Sequence, residues 1–145
     1  MDSSSPLTPV ESDALQAWCE EHSRREAASA TFAGESTLQN YCSRAYGKLG
    51  AENIEEAVCI AIDKGFIAGP ALNPGLFRKL TTQQVKLGEL VGQGLTNAQI
   101  ATQLYLSEGA VKSRLKVVYR LLGSTKSRVY FAALVCKHLK HQARQ

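Results

Sequence analysis

None of the four cysteines, Cys19, Cys42, Cys59 and Cys136, stands in a C-x-x-C pair. A structural zinc site needs Cys or His at ligand spacing, and His138 with His141 alone falls short of one. Cys42 and Cys59 lie among apolar neighbours and read as buried, reduced thiols. No apolar run approaches the roughly 18 residues of a membrane span. The opening "MDSSSP" is polar and lacks the apolar stretch of a secretory signal. No glycine-rich phosphate loop and no nucleophile elbow are present. Glu20–Glu21 and Glu55–Glu56 are adjacent within expected helices, so each pair points in two directions and reads as solvated charge. These gaps argue against an enzyme, a metal or cofactor protein and a membrane protein, and lead to the expectation of a cytoplasmic protein without catalytic residues.

What is present is charge, unevenly divided. Residues 1–72 carry 5 Lys/Arg against 11 Asp/Glu, a net of −6. Residues 73–145 carry 12 against 2, a net of +10, and the whole chain is +4. The basic half holds the stretch "GLTNAQIATQLYLSEGAVKSRLKVVYRLLG" at 94–123. Thr96 and Gln99 have the spacing of a capping box, which predicts a helix over 97–104 with Ile100, Ala101 and Leu104 inward. "YLS" makes the turn, and Ser107 caps a second helix over 108–122 that Gly123 ends. In that helix Val111, Leu115, Val118 and Leu122 form an apolar stripe. Lys112, Lys116 and Arg120 step by four along another face, with Arg114 flanking it. An apolar back and a cationic front suit a helix that sits on a small domain and lies in a DNA groove, although a basic face can also be plain solvated surface. Thr81 and Gln84 predict a helix running to about Gly92 before this pair, and "TKSRVYFAALVCKHL" a further one after it.

Four short helices with "GLTNAQIA" and "LSEGAVKSRL" in the second and third resemble the LuxR/GerE-type helix-turn-helix domain over residues 79–139. Gln83 and Gln84 stand where that family usually has Arg-Glu, Ala110 replaces Thr, and Arg114 replaces His. The resemblance implies a DNA-binding transcriptional regulator of double-stranded DNA, associated with the nucleoid when bound. It puts Lys112, Ser113 and Lys116 at the DNA surface, and Arg114, Arg120, Asn97 and Ser107 complete the expected contact set.

The acidic half reads as a second copy. A shift of 73 residues lays 7–67 on 80–140 without gaps, pairing Leu7-Thr8 with Leu80-Thr81, Ala28 with Ala101, Tyr46 with Tyr119 and Leu49-Gly50 with Leu122-Gly123. Helix signals coincide as well. Thr8, Pro9 and Glu11 match the Thr81 start, Ser23 and Glu26 match Thr96 and Gln99, and Leu38, Cys42, Ala45 and Leu49 repeat the apolar stripe. Asn53 and Glu56 cap "IEEAVCIAIDK", which stops at Gly65, and "STLQNYCSRAYGKLGAENIEEAVCIAIDKGFI" itself resembles the second half of the same family domain.

The expected fold is all-α: two tandem four-helix helix-turn-helix domains, a degenerate acidic one at 1–67 and a basic one at 79–145, joined by a linker at 68–78. A single helical domain of about 140 residues is the competing reading. On the acidic copy Gln39, Tyr41, Ser43 and Gly47 replace the cations Lys112, Arg114, Lys116 and Arg120, leaving only Arg44 and Lys48. It is expected to keep the fold without the groove contact. The last helix of each copy, with Val58 and Ile62 in one and Val129, Ala133 and Cys136 in the other, is apolar around much of its circumference. It finishes its own core or forms an interface, and family resemblance implies dimerisation there, either as a homodimer or with another protein. That leaves a second function open: an interaction module, an anti-activator or co-regulator, that binds another LuxR-type regulator or RNA polymerase.

Overall fold

The computed structural model describes residues 5–20, 27–29, 31, 34–123 and 128–144. The expected caps at Ser23 and Glu26 lie outside the described residues. The described residues contain no strand, and their helices are α1 (Pro9–Glu20), α2 (Glu35–Leu49), α3 (Ile54–Asp63), α4 (Pro74–Phe77), α5 (Thr82–Gly92), α6 (Asn97–Leu104), α7 (Glu108–Leu121) and α8 (Arg128–Ala143), with residues 27–29 helical as well. None of these helices is long and apolar enough to cross a membrane.

Local hydrogen bonding sets most helix starts. Thr8 and Glu11 satisfy each other's backbone N–H groups at 3.3 and 3.0 Å ahead of α1, with Pro9 at the first helical position. Thr81 and Gln84 do the same for α5 at 3.1 and 2.9 Å. Each such cap is worth about 1 kcal/mol. Asn53 caps α3 by accepting from the Glu56 N–H at 3.0 Å. Glu56, expected to share in this cap, accepts with its carboxylate from the Glu52 N–H at 2.7 Å. Gly50 and Gly123 follow α2 and α7 at φ 69° and 114°, a region open to glycine at little cost.

Helix bounds and buried positions repeat along the chain. Adding 73 to the bounds of α1, α2 and α3 gives 82–93, 108–122 and 127–136, which fall on α5, α7 and the start of α8. Residues 27–29 are helical and fall within α6. Ala27 and Ile100, Ala28 and Ala101, Leu38 and Val111, Cys42 and Leu115, and Ala45 and Val118 are all buried pairs at this spacing.

The two halves are fused through their last helices. α3 and α8 run in parallel: Glu55 lies 4.0 Å from Arg128, the Cys59 thiol 3.6 Å from the Ala132 carbonyl, and the Cys136 thiol 3.5 Å from the Cys59 carbonyl. Further along both helices, Lys140 donates to the Ile62 carbonyl. Glu55/Arg128 and Cys59/Ala132 are themselves 73 apart, so each helix meets its own counterpart. α8 is shared. Val129 and Ala133 enter the apolar cluster of the first half, while Phe131, Ala132, Leu134 and Val135 belong to that of the second. This explains why the helix is apolar around so much of its circumference. α5 closes on the pair at Gly88, where a Cβ would stand 2.6 Å from Val135, so only glycine permits the approach. All four cysteines are free thiols, and the hydrogen bond with Cys136, together with burial, holds the Cys59 thiol above its ordinary range.

Residues 68–78 do not run free between the halves. Gln16 makes two hydrogen bonds with the Gly69 backbone, at 2.8 and 2.9 Å, and α4 occupies the C-terminal part of the segment. The Asn73 N–H donates to Nε2 of the buried His138 at 2.9 Å, and Phe77 stacks on the same ring with centroids 4.5 Å apart. Burial, with His141 and Lys137 nearby, holds the His138 imidazole below its ordinary 6.5. A depressed imidazole stabilises the fold fully above the unfolded value, and that contribution is lost as pH falls through the folded one. Thermal stability is therefore expected to decline on acidification from about pH 7 to about pH 5. In His138→Gln the slope over that window should flatten; an unaltered slope would show that another group controls it.

Candidate nucleic-acid interface

α6 and α7 are built by short-range chemistry. The Thr96 N–H donates to Gln99 at 2.8 Å and the Thr96 hydroxyl accepts from the Gln99 N–H at 3.2 Å, fixing the start of α6. The helix stops at Tyr105, whose φ of 58° is left-handed, and the Leu106 N–H returns to the Ala101 carbonyl at 2.9 Å. Ser107 then caps α7 by accepting from the Ala110 N–H at 3.1 Å. Ile100 and Ala101 are buried and Leu104 is half-buried, so two short helices are held at a tight corner.

α7 is buried on one side and cationic on the other. Val111, Leu115 and Val118 are buried along it, and Leu122 just beyond. Lys112, Ser113, Arg114, Lys116 and Arg120 are all exposed. At 3.6 residues per turn, Ser113, Lys116 and Arg120 stand roughly opposite the buried stripe, with Lys112 on one flank and Arg114 on the other. Lys112 lies 3.8 Å from Glu108, but both side chains are more than half exposed, and such a pair is worth only about 0.3–0.5 kcal/mol. It leaves the ammonium available to a stronger anion.

Two expected contact residues have other work. The Asn97 side-chain oxygen accepts from the Arg128 guanidinium at 2.6 Å, and Arg128 also donates to the Leu95 carbonyl at 2.9 Å. Asn97 thus ties α6 to α8. The Ser107 hydroxyl is engaged in its cap but remains at the exposed N-terminal end of α7. The expected interface residues Val58, Ile62, Val129 and Ala133 are buried inside the chain, and Cys136 is half-buried beside Cys59.

The counterpart face on α2 differs in charge. Gln39, Ser43 and Gly47 are exposed, Tyr41 is half-buried, and none carries a positive charge. Lys48 is drawn away by the buried Glu11, its Nζ 2.7 Å from the carboxylate. Burial raises the Glu11 pKa, but hydrogen bonds from Lys48 and Thr8 and the Lys48 charge more than offset this and hold the carboxyl below its ordinary value. Arg44 is the exposed cation left on this helix beyond that pair.

Sequence reasoning missed three features around α7. Val117, 46% exposed, lies among its cations. A groove of about 480 Å³ runs beside it, lined by Leu87, Leu104 and Leu106 and flanked by Lys86 and Arg114. Tyr105, 95% exposed, projects at the corner. Its left-handed backbone is unusual for a bulky residue, and no local signal announced it because such a corner ordinarily takes Gly or Asn. Among the described residues no three His, Cys, Asp or Glu side chains converge as a metal site. Comparison with protein-family models, with curated proteins and with solved structures gives no match, so function is read from the charge and geometry of this face.

Proposed function

We propose that the protein is a DNA-binding transcriptional regulator, in which α6 and α7 form a helix-turn-helix unit and α7 lies in the major groove of double-stranded DNA. The first half is a degenerate second copy of the same domain that braces the reader. One observation carries this reading: Lys112, Arg114, Lys116 and Arg120 are exposed on a helix whose other side is anchored by Val111, Leu115 and Val118. A duplex carries one phosphate charge per about 1.7 Å of its axis, so a fixed array of cations at helical spacing is drawn to it. The position of Ser113 between Lys112 and Lys116, facing away from the core, makes it the side chain that reaches base edges. Ser113→Ala is expected to change sequence preference more than general affinity. Equal losses on selected and random duplexes would show that Ser113 contacts phosphate alone.

The reading is tested with the full chain and a random duplex of about two helical turns. Affinity should fall as salt rises, with a log–log slope near −0.9 for each phosphate neutralised, or about −3 to −4 for four cations. Absence of binding at low salt would rule it out.

A further inference from the structure

We propose that one chain reads one unpaired block of duplex DNA, with no inverted repeat and no second copy. This rests on α7 as the reading helix and adds which DNA it takes. Reading an inverted repeat requires two equal readers related by a two-fold axis. Here the surface that would relate two readers is already occupied within the chain. α3 and α8 lie in parallel, and Glu55/Arg128 and Cys59/Ala132, each 73 apart, meet across the contact. Residues that meet their own counterparts mark the axis of a two-fold pair, and these two contacts place it there, while Cys136–Cys59 and Lys140–Ile62, 77 and 78 apart, lie further along the helices. Val58, Ile62, Val129 and Ala133 are buried in making this contact. The apolar stretch Val129–Val135 of α8 is buried within the chain and offers a second chain no surface.

The pair built in this way has one reader. Where α7 has Lys112, Arg114, Lys116 and Arg120, α2 has Gln39, Tyr41, Ser43 and Gly47. Gly47 further weakens the helix at the position of Arg120, and Glu11 neutralises Lys48. Half of the two-fold arrangement has therefore lost its hold on phosphate while keeping its packing. One helix in one major groove reads a single short block of base pairs, and that block stands alone.

The test is a selection of the full-length protein on random duplexes of about 24 base pairs, long enough for two half-sites one helical turn apart. Sedimentation of the complex on the enriched sequence follows. The expected motif is a single block without an inverted partner, bound by one chain with a Hill coefficient of about 1. Duplicating the block as an inverted repeat should raise affinity by no more than the statistical factor of two. An enriched inverted repeat bound cooperatively by two chains would overturn the inference and leave α7 as reader. One chain on a two-block repeat, with one block lost in Gln39→Ala/Arg44→Ala, would overturn it by making α2 a second reader. No enrichment, with binding indifferent to Lys112→Ala/Lys116→Ala, would remove α7 as reader and the inference with it.

Discussion

Replacing Lys112 and Lys116 together with alanine is expected to lower the log–log salt slope of duplex binding by about 2. Both side chains are exposed on α7, and neither packs into either apolar cluster. Two lost charge-assisted contacts at about 1.5 kcal/mol each put the loss of affinity near a hundredfold at moderate salt. Surface substitutions of this kind change folding stability by less than about 0.5 kcal/mol, so the thermal midpoint should hardly move. An unchanged slope in the double variant would take α7 out of the interface whatever happened to the affinity.

Phe131→Ala is expected to destabilise the whole chain by about 3–5 kcal/mol. Phe131 is fully buried on α8 and meets Tyr119 of α7 edge-on, with centroids 6.5 Å apart. The loss is a large part of the 5–15 kcal/mol that holds a typical domain folded. Its reach is the informative part. Trp18, the sole tryptophan, packs against the apolar cluster of the first half, whereas Phe131 belongs to that of the second. Because Val129 and Ala133 of the same helix wall that cluster, Trp18 fluorescence should report the same lowered midpoint as the helical signal. A Trp18 transition that stayed put while the helical signal shifted would mean that the halves unfold independently. The shared helix also decides how the protein is best dissected. A fragment ending at residue 72 would lack Val129 and Ala133 and expose apolar surface, so charge variants in the full chain are the cleaner comparison.

What was legible in the sequence was local. The capping pairs at Thr8, Thr81 and Thr96 act over three residues, and each forms its expected bonds. The stripe Val111, Leu115, Val118 is buried as its period predicts, and the stripe Leu38, Cys42, Ala45 repeats it. What could not be read depends on distant partners. Glu11 looked like a capping residue, and nothing in its neighbourhood announced Lys48, 37 residues away. Asn97 looked exposed at a helix start, yet Arg128 claims it from 31 residues away. The linker had the glycines and prolines of a free connection, but Gln16 and His138 fix it from both halves. The apolar α3 and α8 signalled that they needed cover without saying whose. The contact with each other, and the sharing of α8 between two clusters, appear only in three dimensions.

Amide spectra of the full-length protein, titrated with a random duplex of about two helical turns at low salt, test the proposed division between α7 and α2 most directly. Residues 108–121 should shift or broaden first, with the perturbation centred on Lys112, Ser113 and Lys116. Residues 35–49, at the same place in the first half, should stay where they are, and the signals of 108–121 should return as salt rises. Perturbation centred on 35–49, or spread equally over both helices, would contradict a single reading helix.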